Sequence, residues 1–175
     1  MVDRLGDRLG GRVDVIDFIG NISDQMVAKL YDIAHQARAA GSTKMLLRIA
    51  SEGGSYSAAF AAYNLFMTTG IPLQAHNIGD VKNEALVLYL AADTRSMAAY
   101  TQFLIEETPQ EYDYLRRAQL VNSRTSGLMR FKPYGNNEPL SIAREAAIKL
   151  GLVNDEIVVP NFSFADAVFW NVSTK

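Results

Sequence analysis

The chain has no cysteine, which excludes disulfides, thiol catalysis and thiolate metal sites. Its two histidines, His35 and His76, lie far apart and in no ligand-spaced pattern, so neither a metal centre nor another cofactor is expected. Excess positive charge is missing too: 17 Lys and Arg stand against 19 Asp and Glu, and a net charge of −2 gives no basic footprint for nucleic acid. No apolar run is long enough to cross a bilayer. The first twelve residues, MVDRLGDRLGGR, lack the apolar centre of a signal peptide and read as a flexible arm over 1–12, ahead of one domain over 13–175. A cytoplasmic protein that partners neither nucleic acid nor membrane fits these absences.

What is present is the makeup of a globular domain. The 175 residues are 49% hydrophobic and 21% charged, enough to bury one sizeable core. VDVIDFI, residues 13–19, alternates like a strand, and Ser23 or Asp24 can cap a helix to about residue 40 with Met26, Val27, Leu30, Ile33, Ala34 and Ala37 at helical spacing. KMLLRIA, residues 44–50, reads as a buried parallel strand, so the chain opens β-α-β. A helix over 56–67, a strand over 73–77 and a helix over 84–92 follow, the last two joined by a polar turn around Gly79. Residues 94–96 read as a turn, 102–106 (QFLIE) as a strand, 109–121 as a charged helix and 122–137 as irregular. A helix over 140–150, a strand over 156–159 and an aromatic tail over 162–172, either a last strand or part of an interface, complete the pattern.

Three places can carry chemistry. Ser51-Glu52-Gly53-Gly54 follows a buried strand, and its glycines let backbone N–H groups approach an oxyanion or a peptide strand; a tight βα turn needs the same residues. Gly79 to Glu84 repeats the arrangement, so the N–H groups of Gly54 and Glu84 can converge as an oxyanion hole. Where such a frame usually carries a nucleophile the chain reads Lys82-Asn83-Glu84, and the amide of Asn83 is a poor nucleophile and a poor base. Glu106-Glu107, at the end of QFLIE, offers either a buried base or a solvated pair at a strand end.

Taken together, VDVIDFIGNISDQM, KMLLRIASEGGSYSAAFAAYNLFM, IGDVKNEALVLYLAADTRSMAAYTQFLIEETP and EPLSIAREAAIKLGLVNDEIV resemble successive segments of the Clp-type serine peptidases (the ClpP family of the ClpP/crotonase superfamily) over residues 13–159. The resemblance implies an α/β fold of repeated ββα units. Glu52 stands where the family's turn has proline. Carried over, the serine nucleophile falls on Asn83, the general-base histidine on Glu106 and the orienting aspartate near Asn137, while Gly53, Gly54 and Glu84 keep the oxyanion and peptide-binding backbone. A Ser-His-Asp device needs a hydroxyl and a base of near-neutral pKa, and these positions offer neither.

The resemblance therefore implies a ring-forming homo-oligomer of seven subunits, structural or peptide-binding, that has lost peptidase activity. An active ClpP-type subunit, an AAA+ unfoldase and an extended peptide are the implied partners. In the segment matching the family's inter-ring handle, residues 109–121 can supply a helix but residues 122–137 are compressed, which leaves a double ring open. Two enzyme readings stand beside this one. A serine among Ser51, Ser55 and Ser57 can pair with Lys82 as a serine–lysine dyad. Alternatively, Glu106 or Glu107 can serve crotonase-like acyl-thioester chemistry, although the second carboxylate position of that branch falls near the apolar Val87.

Overall fold

The computed structural model describes residues 11–105 and 140–173. Seven strands and four α-helices are found among these residues: β1 (Val13–Ile19), α1 (Asp24–Ala39), β2 (Lys44–Ser51), α2 (Tyr56–Thr68), β3 (Leu73–Lys82), α3 (Glu84–Tyr89), β4 (Thr94–Met97), β5 (Gln102–Ile105), β6 (Leu140–Ala143), α4 (Arg144–Lys149) and β7 (Ala167–Ser173). They form one mixed sheet of order β6-β5-β3-β2-β1-β7, with β4 beside the first half of β3. All pairs are parallel except β5 with β6. This is the α/β architecture expected for the family.

Period-2 alternation divides the sheet into two faces. Ile16, Phe18, Met45, Leu47, Ile49, Leu73 and Ala75 join the apolar stripes of α1, α2 and α3 in one buried core. Ser23 caps α1 through its hydroxyl, which accepts from Met26 N, so the periodic stripe begins in register with the sheet. The opposite face carries polar groups beside the buried Val15 and Leu46. There the Arg48 guanidinium donates two hydrogen bonds to Asp17, both 2.6 Å, and His76 Nδ1 lies 2.8 Å from Ser96 Oγ.

β3 is twice as long as its apolar signal. Residues 74–77 pair with β4 and residues 80–82 with β5, so a single strand spans two partners. The sequence pattern placed a turn around Gly79, but the chain does not reverse there. The register with β2 slips between Ile49 and Ser51, where Ile49 faces Asn77 and Ser51 faces Val81. Gly79 lies in this bulge, and a Cβ on it would come within 3.0 Å of Ala50 Cβ. Asn77 holds the irregular backbone, accepting from Gly79 N (3.0 Å) and donating to Gln102 O (3.0 Å).

Other boundaries also differ from expectation. The helix expected over 84–92 ends at Tyr89, and residues 94–97, read as a turn, are strand β4. The helix expected over 140–150 starts four residues late because Leu140–Ala143 pairs antiparallel with β5. Residues 156–159 form no strand. They follow a stretch, residues 151–155, that is held by Arg95, which is fully buried although the sequence reads it as a turn residue. Its guanidinium donates to Ala92 O (2.7 Å), Leu152 O (2.9 Å) and Gly151 O (3.1 Å), and its own carbonyl accepts from Asn154 N and Asp155 N.

The tail forms β7, which lies parallel to β1 as a sheet edge. Trp170 Nε1 donates to the buried carboxylate of Asp14 at 2.7 Å, and Arg12 grips the same carboxylate with two nitrogens at 2.8 and 2.9 Å. Burial pushes the Asp14 pKa up, but hydrogen bonds from Arg12, Trp170 and Ser42 outweigh it and hold the group below the usual carboxylate range. Arg12, counted with the arm on the sequence, is thus fixed to the domain. Residues 1–10, the helix expected over 109–121 and the irregular stretch 122–137 lie outside the described residues.

Candidate functional site

The carboxyl ends of β2 and β3 bring the two sequence-identified turns together. Beyond β3, Asn83 has φ 47° and ψ −115°, the one non-glycine positive φ among the described residues. That combination belongs to the first central position of a type II′ turn, where glycine is the unstrained choice. The backbone at this point is fixed from both sides. Asn83 N donates to Leu104 O on β5 (3.0 Å), and Asn83 O accepts from Leu86 N (3.0 Å) as α3 begins. A strained strand-to-helix junction that lifts one side chain out of the sheet edge is the geometry of a nucleophile elbow. Here the lifted side chain is a carboxamide.

Beneath the elbow α3 is entirely buried. Tyr89 packs on Phe103 with ring centroids 5.0 Å apart and donates its hydroxyl to Ser96 O (3.0 Å). The elbow therefore sits on a rigid floor.

The Gly53-Gly54 turn faces Asn83. Both glycines have positive φ, 96° and 145°, and neither has room for a side chain. A Cβ on Gly53 would meet the Glu84 carboxylate and lie 3.3 Å from Lys82 O and 3.4 Å from Asn83 Cβ. A Cβ on Gly54 would run into the backbone of Ile22. The close approach exists because Ile22 pairs with the turn as a short parallel bridge, donating to Gly53 O (2.8 Å) and accepting from Ser55 N (3.0 Å).

The polar groups of this crevice have partners within the chain. Gly53 N donates to Ser51 Oγ (3.2 Å), and Gly54 N donates to Glu84 Oε2 (2.9 Å). Sequence reasoning treated Glu84 as a backbone donor and missed its side chain, which is 8% exposed and accepts the very N–H assigned to an oxyanion hole. No local signal marks this contact between residues 30 apart. Lys82 Nζ pairs with Glu52 Oε2 at 2.5 Å, which gives a role to the residue standing in the family's proline position. Ser55 caps α2 by accepting from Ala58 N, and its hydroxyl lies 3.0 Å from that of Ser57.

The structure thus gathers Ser51, Gly53, Gly54, Lys82, Asn83 and Glu84 at one edge of the sheet. Glu106, Glu107 and Asn137 lie outside the described residues. Among the described residues no cluster of three or more His, Asp or Glu side chains could hold a metal ion, and no helix is long and apolar enough to cross a membrane. A cleft of about 390 Å³ lies elsewhere, at the amino ends of β2, β3 and β4, lined by Lys44, Gln74 and Thr94 from the polar face with Asp93, Asp155 and Asn161 around them.

Comparison with known proteins agrees with this geometry. A family model described as Clp protease matches residues 12–132. No curated protein sequence matches. Among solved structures, ClpP1 from Listeria monocytogenes is similar with a TM-score of 0.68 at 16% identity, covering 83% of this chain and 92% of that one. A mutant of the 1510-N membrane-bound stomatin-specific protease has a TM-score of 0.72 at 16% identity, covering 85% of this chain and 81% of that one. A second mutant of that protease, in complex with a substrate peptide, has a TM-score of 0.70 at 14% identity and covers 94% and 93%. At such identities the likeness is one of fold.

Proposed function

The chain belongs to the Clp protease family, and from that premise we propose that it is a ClpP-like subunit without serine peptidase chemistry, a structural or peptide-binding member of a ring. The observation that carries this reading is Asn83. The elbow keeps its strained backbone, φ 47° and ψ −115°, yet presents an amide that cannot attack a carbonyl. In this reading Asn83, Glu106 and Asn137 are the altered triad positions, and Gly53, Gly54 and the Glu84 backbone form the wall that faces a peptide.

The Lys82–Glu52 pair supports the same reading over a serine–lysine dyad. The lysine nitrogen lies 2.5 Å from the Glu52 carboxylate, whereas a dyad needs that nitrogen directed at a serine hydroxyl. The partners proposed are further copies of this chain, an active ClpP-type subunit and an AAA+ unfoldase. Native mass spectrometry over a concentration series tests the assembly, and fluorogenic peptides test the chemistry. A ring, with seven subunits expected, and no turnover support the proposal. Turnover of the peptides by the purified protein, or a monomer at every concentration, contradicts it.

A further inference from the structure

Glu84 is the one side chain of the crevice whose placement the proposed function leaves unexplained. Its carboxylate is buried, and among the described residues its hydrogen-bond partner is the N–H of Gly54. A carboxylate can accept several hydrogen bonds, so a single N–H leaves most of the acceptor capacity of Glu84 unused. The neighbouring Lys82 Nζ lies 2.5 Å from Glu52 Oε2. Gly53 makes the placement possible, since any side chain there would occupy the space of the Glu84 oxygen. Gly54 itself is solvent-exposed, so the turn lies at the protein surface.

An N–H 2.9 Å from a carboxylate oxygen, beside a strained elbow, has the geometry offered to an acyl oxygen. We propose that Glu84 is a built-in occupant of this site. Its carboxylate takes the place of a ligand's acceptor oxygen, and a peptide carbonyl or a small carboxylate reaches the Gly54 N–H only when Glu84 is removed or swings out. Gly53 N–H, Gly53 C=O and Gly54 N–H are all engaged within the chain, and the departure of the Glu84 side chain frees the Gly54 donor without breaking the Ile22 bridge. Glu84 then sets specificity. The closed site rejects acceptor oxygens because its donor is already occupied.

This inference rests on reading the crevice as a peptide-facing wall, but its test is independent of ring formation and of peptide turnover. The full chain has twelve glycines, so glycine-selective ¹⁵N labelling lets the Gly54 amide be followed in the intact assembly. The probe is sodium acetate, titrated at constant ionic strength against sodium chloride. In wild type the Gly54 resonance is expected to stay put. In Glu84→Ala it is expected to move saturably, with an apparent affinity at least tenfold above wild type, the factor one charge-assisted hydrogen bond can supply. Equal movement in both proteins, or none in either, overturns the proposal. Should Glu84→Ala fail to fold, Glu84→Met keeps the volume and removes the acceptor. Gly54 amide exchange is then expected to accelerate about tenfold or more, and unchanged protection overturns the proposal.

Discussion

The strain at the elbow can be measured without knowing any ligand. Asn83 sits at φ 47° and ψ −115°, where an L-residue is disfavoured by about 1–3 kcal/mol and glycine is not. Replacing Asn83 by glycine or by alanine removes the same side-chain interactions, so the difference between the two variants reports the backbone alone. Against the relief of strain stands the greater freedom of glycine in the unfolded chain, about 0.4–1 kcal/mol. The balance is that Asn83→Gly is more stable than Asn83→Ala by about 1–2 kcal/mol. For a chain of 175 residues this corresponds to a difference in Tm of roughly 2–8 °C.

The assay is urea denaturation of both variants at matched protein concentration, with thermal melting alongside. An internal control comes from Asn64, exposed in the middle of α2. There glycine is expected to be worse than alanine by about 1 kcal/mol, the ordinary helix preference. Opposite signs at the two positions are the signature of the elbow. If alanine is as good as glycine at position 83, the backbone there is unstrained and the elbow argument fails.

Two further outcomes follow from the buried polar groups. Arg95→Met leaves the carbonyls of Ala92, Gly151 and Leu152 without their donor and is expected to cost about 3 kcal/mol in urea denaturation; a loss below about 1 kcal/mol would mean the clamp is not holding this segment. His76 is buried against Ser96, and burial, aided by the charges of Arg48 and Arg144, lowers its pKa from 6.5 to about 4. Because the unfolded chain takes up this proton first, His76 is without effect on stability above pH 6.5. Stability then falls as pH drops toward 4, by about 3 kcal/mol in all, and His76→Gln should flatten that part of the profile.

Much of the framework could be read from residue spacing. The alternation of VDVIDFI, the helical stripe from Met26 to Ala37 and the apolar KMLLRIA run each specify their element locally, and their register follows from burying one face. The failures share a cause, which is that the deciding partner lies far away in sequence. Gly79 and Asn77 look like turn residues because turns and bulges use the same chemistry; only pairing with β2 and β5 tells them apart. Arg95 looks solvated because its acceptors Gly151 and Leu152 are 56 and 57 residues away. LSIA looks helical until β5 is placed beside it. At the site, the positions of Gly53, Gly54 and Asn83 were legible from glycine spacing and family resemblance. The side-chain role of Glu84 was not, because an acidic residue opening a helix has an adequate local explanation.

The central claim is that an intact elbow here carries no nucleophile. It is tested most directly by incubating the purified protein with a fluorophosphonate probe, which acylates activated serines, and recording the intact mass, with an active serine peptidase as control. The account predicts an unmodified mass and full labelling of the control. A single stoichiometric adduct, mapped to Ser51, Ser55, Ser57 or any other serine, would contradict it and make this chain an active hydrolase.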